Sequence, residues 1–269
     1  MTTPTAADLW RDGDLDGAIA AQTAAVKSSP TDAEARSLLF AMVAHTGDWD
    51  RAASHLRVLA ATDQDYERSV QFLRGLLTAE IHRQGVFTGE ATPVLPDDTP
   101  EHVERRWTAL QAWRAGDISA AIEEIDRAIA AQPDLSGVVD GEDLTAWRDL
   151  DDRLGSVCEV FAGGRYLWLP WERIASLELS DPERLPDLIW APARITQTDG
   201  EELSAHLPCR YVGCETWTDP ALRLGRGTAW GGDPGLAEGQ GQRMFARADV
   251  DAEVHEVPLL SLRSLAFTS

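Results

Sequence analysis

Cysteine, lysine and long apolar runs are all scarce in this chain of 269 residues. The three cysteines, Cys158, Cys209 and Cys214, are too few and too odd a set for a disulfide framework and suit a reducing compartment. No apolar run approaches the ~20 residues needed to cross a bilayer. The opening Met1-Thr2-Thr3-Pro4-Thr5-Ala6-Ala7-Asp8 lacks the basic and apolar regions of a signal peptide, so a cytoplasmic location is expected. Positive charge is also short: 24 basic residues face 45 acidic ones, a formal charge of −21. That field repels polyanions, so neither nucleic acid nor an anionic membrane is an expected partner. The acidity itself reads as a solubilising surface. Lys27 stands alone as lysine, which a bias toward arginine and alanine explains without chemistry. There is no Gly-Lys-[Ser/Thr]. Gly225-Arg226-Gly227 and Gly239-Gln240-Gly241 lack the third glycine of a dinucleotide loop and its strand-then-helix setting. No cofactor is therefore expected.

What the chain does have is a recurrence. Gly13-Asp14-Leu15-Asp16-Gly17-Ala18 returns 34 residues later as Gly47-Asp48-Trp49-Asp50-Arg51-Ala52, and again after a further 69 as Gly116-Asp117-Ile118-Ser119-Ala120-Ala121. A period of 34 is that of the tetratricopeptide (TPR) helical hairpin. Each glycine sits where the first helix of a hairpin must stop with φ > 0, and each aspartate can cap the second helix. The small Ala18, Ala52 and Ala121 permit close approach of the two helices, and Pro30 and Pro133 follow the apolar stretches of the first and third copies. The second copy is followed by Thr62-Asp63-Gln64 and then by Val70, Leu73, Leu77 and Ile81 at helical spacing. The segment Gly85–Pro100 is rich in Pro and Gly and reads as a surface loop before a helix over 102–115. In the usual hairpin register the first helices line a concave groove. Its expected partner-binding residues are Glu34, Ser37, Ala41 and His45 from one hairpin, and Arg106, Leu110, Trp113 and Arg114 from the last. Such a surface suits an amphipathic helix; alternatively, Trp113 and Leu110 pack against a second domain.

After Pro133 the texture changes to short segments punctuated by Gly, Pro and Trp. The fold class expected is multidomain: a TPR-like α-solenoid over 1–135 followed by a small α+β, barrel-like domain over 136–269. Val157–Phe161 and Tyr166–Leu169 around Gly163-Gly164 read as a β-hairpin. Further strands are expected at 188–190, 193–196, 203–211 and Arg223-Leu224-Gly225. Trp147-Arg148-Asp149-Leu150-Asp151-Asp152-Arg153-Leu154-Gly155, Tyr166-Leu167-Trp168-Leu169-Pro170-Trp171-Glu172, Asp187-Leu188-Ile189-Trp190-Ala191-Pro192-Ala193, Leu207-Pro208-Cys209-Arg210-Tyr211, Leu222-Arg223-Leu224-Gly225-Arg226 and Gly239-Gln240-Gly241-Gln242-Arg243 resemble, in order, the blocks of the ImpE family, also called TagJ. The repeat half resembles it too; Ser156 and Pro186 depart from its pattern. The resemblance implies a cytoplasmic, non-enzymatic accessory protein of bacterial type VI secretion systems. The implied partner is the N-terminal helix of the small (TssB/VipA-like) subunit of the contractile sheath.

Other chemistry is weighed against plainer readings. Asp149, Asp151 and Asp152 with Arg148 and Arg153, beside Trp147, could hold a divalent cation or act as acid and base. The plainer reading is a structural turn joining the two halves, its carboxylates paired with arginines and backbone N–H groups. His206, Cys209 and Cys214 lack a convincing fourth ligand unless His255 folds back, so no metal centre is expected. The tryptophans Trp147, Trp168, Trp171, Trp190, Trp217 and Trp230 read as core rather than a ligand slot. The alternatives to a secretion adaptor are a metal-dependent or hydrolytic enzyme using Asp149–Arg153, and a repeat adaptor unrelated to secretion.

Overall fold

A computed structural model of the chain describes residues 4–62 and 66–268. Asp63 and Gln64 of the expected turn lie outside the described residues. Seven helices come first: α1 (Ala6–Arg11), α2 (Leu15–Ser28), α3 (Ala33–Ala44), α4 (Trp49–Thr62), α5 (Glu67–Thr88), α6 (Glu101–Arg114) and α7 (Ile118–Ala131). The recurrent glycines close the α1–α2, α3–α4 and α6–α7 hairpins with φ of +89°, +73° and +77° at Gly13, Gly47 and Gly116. The following aspartates cap as their position demands. Asp14 accepts the N–H of Gly17 at 2.8 Å, Asp48 that of Arg51 at 3.1 Å and Asp117 that of Ala120 at 3.1 Å. Ala18, Ala52 and Ala121 are fully buried between the paired helices.

Two expectations for this half are corrected. The chain does not loop out at Gly85: α5 continues to Thr88 and stops at Gly89, whose φ is +93°. Gly85 is tolerated inside the helix because the returning chain packs on it, with Ala91 Cβ only 3.2 Å from where a Cβ would stand. Ile81, expected on the apolar face, is exposed, unlike Val70, Leu73 and Leu77. The long α5 also turns from repeat packing to the sheet, where Gly75 and Gly164 allow their backbones to touch.

The second half holds β1 (Gly137–Val139), β2 (Glu142–Leu144), β3 (Ala146–Asp149), β4 (Val157–Ala162), β5 (Arg165–Pro170), β6 (Ile174–Leu179), β7 (Trp190–Gln197), β8 (Glu202–Pro208), α8 (Pro220–Arg223), β9 (Thr228–Gly231), β10 (Glu238–Gly241), β11 (Met244–Ala248), β12 (Val254–Pro258) and β13 (Ser264–Phe267). Eight strands form one sheet in the order β2-β1-β13-β6-β7-β8-β4-β5; β12-β11-β3 and β10-β9 form two smaller ones. The barrel-like expectation is corrected: the large sheet is open, ending at β2 and β5. The β5 edge is covered by the returning chain, where Val94 donates to the Tyr166 carbonyl at 3.3 Å and accepts from the Trp168 N–H at 3.0 Å. Arg223-Leu224-Gly225 is not a strand either. Asp219 caps Ala221 at 2.8 Å and Pro220 starts a short helix, which nucleates α8 instead.

The β4–β5 hairpin forms around Gly163 and Gly164, both at positive φ, as expected. Strand β4 is apolar almost throughout because both its faces are covered. Cys158 and Val160 point into a core with Trp171, Leu177, Ile195, Leu207 and Phe245. Val157 and Phe161 point the other way, into a core that Trp168 and Trp190 share with Leu39, Val43, Leu77 and Leu110 of the helices. Helices and sheet are thus packed through common side chains. Trp147, Trp168, Trp171 and Trp190 are core, while Trp217 and Trp230 remain exposed.

At Gly116 a Cβ would meet nothing within 4 Å, whereas at Gly47 it would lie 2.6 Å from the Glu215 side chain. Gly116→Ala is therefore expected to cost only the strain of a positive φ, about 1 kcal/mol, and Gly47→Ala measurably more. Urea denaturation midpoints check this; equal losses would contradict it.

Candidate functional site

Helix spacing places Glu80 and Arg83 on the same side of α5, facing β4. Arg83 donates Nε to Glu159 Oε1 at 2.8 Å, Nη2 to Glu159 Oε2 at 3.1 Å, Nη1 to Glu80 Oε1 at 3.1 Å, and Nη2 to the Arg210 carbonyl at 3.0 Å. Trp190 closes one end, its Nε1 donating to Glu80 Oε2 at 2.9 Å. Glu159 also accepts from the Tyr166 hydroxyl and from Arg243, and Arg243 reaches on to Asp149 Oδ2 at 3.1 Å. The result is a buried ladder, Glu80–Arg83–Glu159–Arg243–Asp149, running from α5 through β4 and the residue that precedes β11 to the end of β3. All five residues are at most 3% exposed.

The Asp149–Arg153 turn continues it. Asp149 Oδ1 accepts from the Tyr211 hydroxyl at 3.1 Å and from the Asp151 N–H at 2.8 Å. Asp151 takes the Arg153 N–H at 3.0 Å, Arg153 Nε at 2.9 Å, Arg153 Nη2 at 2.5 Å and the Gly239 N–H at 3.0 Å. Asp152 takes Arg148 Nη2 at 2.5 Å and the Ala237 N–H at 2.6 Å. Every carboxylate oxygen in the cluster already faces a donor. Burial pushes Asp149 up to about 6, against the pull of Arg243. Burial opposes ionisation of Asp151 as well, but the Arg153 charge and the hydrogen bonds from Arg153 and the Gly239 N–H together hold that carboxyl below its ordinary value. These are the features of a structural knot. Trp147, at 3% exposure, stacks in the core beside it, with Phe245 at 5.0 Å.

The eight residues expected along a groove separate sharply. Ala41 and His45 are buried: the His45 ring stands edge-on to Trp10 at 4.5 Å, its Nδ1 lies 2.9 Å from the Ala41 carbonyl, and its own carbonyl accepts from Arg210 Nη1 at 3.2 Å. Arg106 is buried against Gly155 and donates to the Asp152 carbonyl; Leu110 lies in the shared core. Trp113 donates Nε1 to Glu238 at 2.7 Å beneath the Arg153 guanidinium, and Arg114 donates to the Val86 carbonyl at 2.5 Å. Much of the face assigned to a groove is thus filled by the chain itself. Glu34 is exposed and Ser37 half-buried.

Two constellations escaped the sequence. His102 on α6 lies between Ser156 Oγ, at 2.8 Å from Nδ1, and Glu172 Oε1, at 2.6 Å from Nε2. It has the members of a hydrolytic triad, but Ser156 and His102 are buried against each other where the two halves meet. Asp249, Glu253 and His255, around the β11–β12 turn, bring potential ligand atoms within 4.8 Å of one another, the only such grouping among the described residues. His206, Cys209 and Cys214 are not so grouped. All three cysteines are buried. The ladder residues had one visible signal: Glu159 stands inside the otherwise apolar run Val157–Phe161.

The sequence profile of the ImpE family, described as ImpE protein, matches residues 141–265, and a tetratricopeptide repeat profile matches residues 9–77. The chain is 37% identical over 263 residues to the type VI secretion system accessory component TagJ of Pseudomonas aeruginosa, covering 97% of this chain and 90% of that one. The chain belongs to the ImpE family. A crystal structure of a protein from Vibrio parahaemolyticus has the same fold, with a TM-score of 0.88, 23% identity, and coverage of 98% of this chain and 97% of that one. In this ImpE-family protein the second, third and fifth of the recognised sequence blocks contribute Tyr166, Trp190 and Arg223, and the fourth and sixth contribute Tyr211 and Arg243. Four of these five meet at or beside the buried ladder. No helix among the described residues is long and apolar enough to cross a membrane.

Two outcomes follow from the buried charges. Glu159→Gln removes the one carboxylate between Arg83 and Arg243, leaving two arginines with only Glu80 and Asp149 at the far ends, and is expected to cost roughly 3–5 kcal/mol, read as a shifted denaturation midpoint; a loss under about 1 kcal/mol would contradict the ladder's role. Burial also pushes His206 down to about 4 from 6.5, so the folded chain resists a proton that the unfolded chain accepts. That contribution is whole above pH 6.5 and lost as pH falls, while Asp149, raised to about 6, acts in the opposite sense. His206→Gln should flatten the acid-side fall by up to ~1.4 kcal/mol per pH unit, measured by urea midpoints between pH 7 and 5; an unchanged slope would exclude His206 as a source.

Proposed function

We propose that this protein is a non-enzymatic accessory component of a type VI secretion system, acting in the cytoplasm by holding the N-terminal helix of the small sheath subunit. The observation that carries this reading is the 37% identity to TagJ over 97% of the chain. The tetratricopeptide-like helices support it, because such hairpins present long helical faces to peptides and helices. The saturated Asp149–Arg153 cluster supports the non-enzymatic part: its carboxylates are occupied by arginines and backbone N–H groups, leaving none placed as a free base or ligand. The helical residues 1–135 carry the docking surface in this reading. Residues 136–269 hold its helices in place through the shared core and the ladder.

The test is titration of the purified protein with the intact small sheath subunit and with the same subunit lacking its N-terminal helix. Binding at about 1 μM or tighter, roughly −8 kcal/mol, is expected for the intact subunit, and its loss for the truncated one. No binding at about 100 μM, or equal binding of both, would contradict the reading.

A further inference from the structure

Helix α2 leaves much of one side to solvent, with Ala20, Ala24 and Lys27 exposed along it. Ile19, Ala20, Thr23 and Ala24, with Asp16 and Lys27 at the two ends, follow the spacing of a single helical face. They form one wall of a groove of about 640 Å³ that Thr46, Arg51 and Arg223 complete. The face spans about 16 Å, three helical turns. Its floor is shallow because the residues are small: Ala20 and Ala24 are exposed and Thr23 half-buried, so another helix could approach closely over the nearly covered Ile19.

The charges around this groove are distinctive in a chain of net charge −21. At one end Arg223 is satisfied by Asp16, with two contacts of 3.2 Å. The Lys27 ammonium and the Arg51 guanidinium, by contrast, have no hydrogen-bonding or ion-pair partner among the described residues. Two unpaired cations flanking an apolar floor complement carboxylates flanking an apolar stripe.

We propose that this α2 groove is the seat of the partner helix, and that the helix it takes is amphipathic, about three turns long, with acidic residues beside a narrow apolar stripe. This rests on the sheath-helix reading above and moves the docking surface from the filled groove to the outer side of α2. The probe is a fluorescently labelled synthetic peptide of the small sheath subunit's N-terminal helix, titrated by anisotropy against the full chain. Ala24→Arg, which fills the floor, and the pair Lys27→Glu with Arg51→Glu are each expected to weaken binding about tenfold or more, while Lys27→Arg keeps it. Wild-type affinity should fall as salt rises, and the charge-reversed pair should lose most of that dependence. All these positions are exposed or at the groove rim, so thermal unfolding should stay near that of the wild type and serve as the folding control. Wild-type binding that none of the variants weakens would overturn the groove while leaving the sheath-helix reading intact. Failure of the peptide to bind the wild type, when the intact subunit also fails, would overturn both; failure of the peptide alone would overturn the groove.

Discussion

The fold depends on a row of charges kept out of water. Glu80, Arg83, Glu159, Arg243 and Asp149 alternate in sign along a buried line that begins on a helix of the first half and ends on strands of the second. Each member is tolerable in low dielectric only while its neighbours are in place, because an ion left unpaired there costs several kcal/mol. Such a row adds little net stability over an apolar core, but it penalises any arrangement in which α5 and β4 are separated or out of register. The hydrogen bonds of Tyr166, Trp190 and Tyr211 to the same groups extend that specificity to three large side chains.

What was legible in the sequence was local. A glycine that must adopt positive φ and an aspartate that must cap the next helix carry their reasons within four residues, so the three hairpin turns could be read without a structure. The same holds for Gly163-Gly164. Gly85 misled because its neighbours suggested a breaker, while the partner that makes it tolerable, Ala91, returns to it only after α5 has ended. Whether a sheet closes is decided by its first and last strands, and no local pattern could show that β2 and β5 end apart with Val94 along the β5 edge.

The expected groove shows the same limit from another side. Hairpin register identifies which face of a helix lies inward, and Ala41, His45, Arg106 and Leu110 do lie inward. It does not say what covers that face, and in this chain the cover comes from its own residues, Trp10 and Arg210 at His45 and Asp152 and Gly155 at Arg106. The family likeness was legible because its blocks are those that build this contact: Tyr166, Trp190, Tyr211 and Arg243 come from four different blocks and meet at or beside the ladder. Conversely, the exposed side of α2 carries no block at all. It stands out only once its spacing, its small residues and its two unpaired cations are seen together.

The halves of this protein share one core and one row of buried charges, and the sheet fixes the geometry of the helices packed on it, so they should melt together. Differential scanning calorimetry of the intact chain tests this most directly. A single transition is predicted, with calorimetric and van't Hoff enthalpies agreeing. Two resolved transitions, or a calorimetric enthalpy well above the van't Hoff value, would show that helices and sheet melt separately and would contradict it.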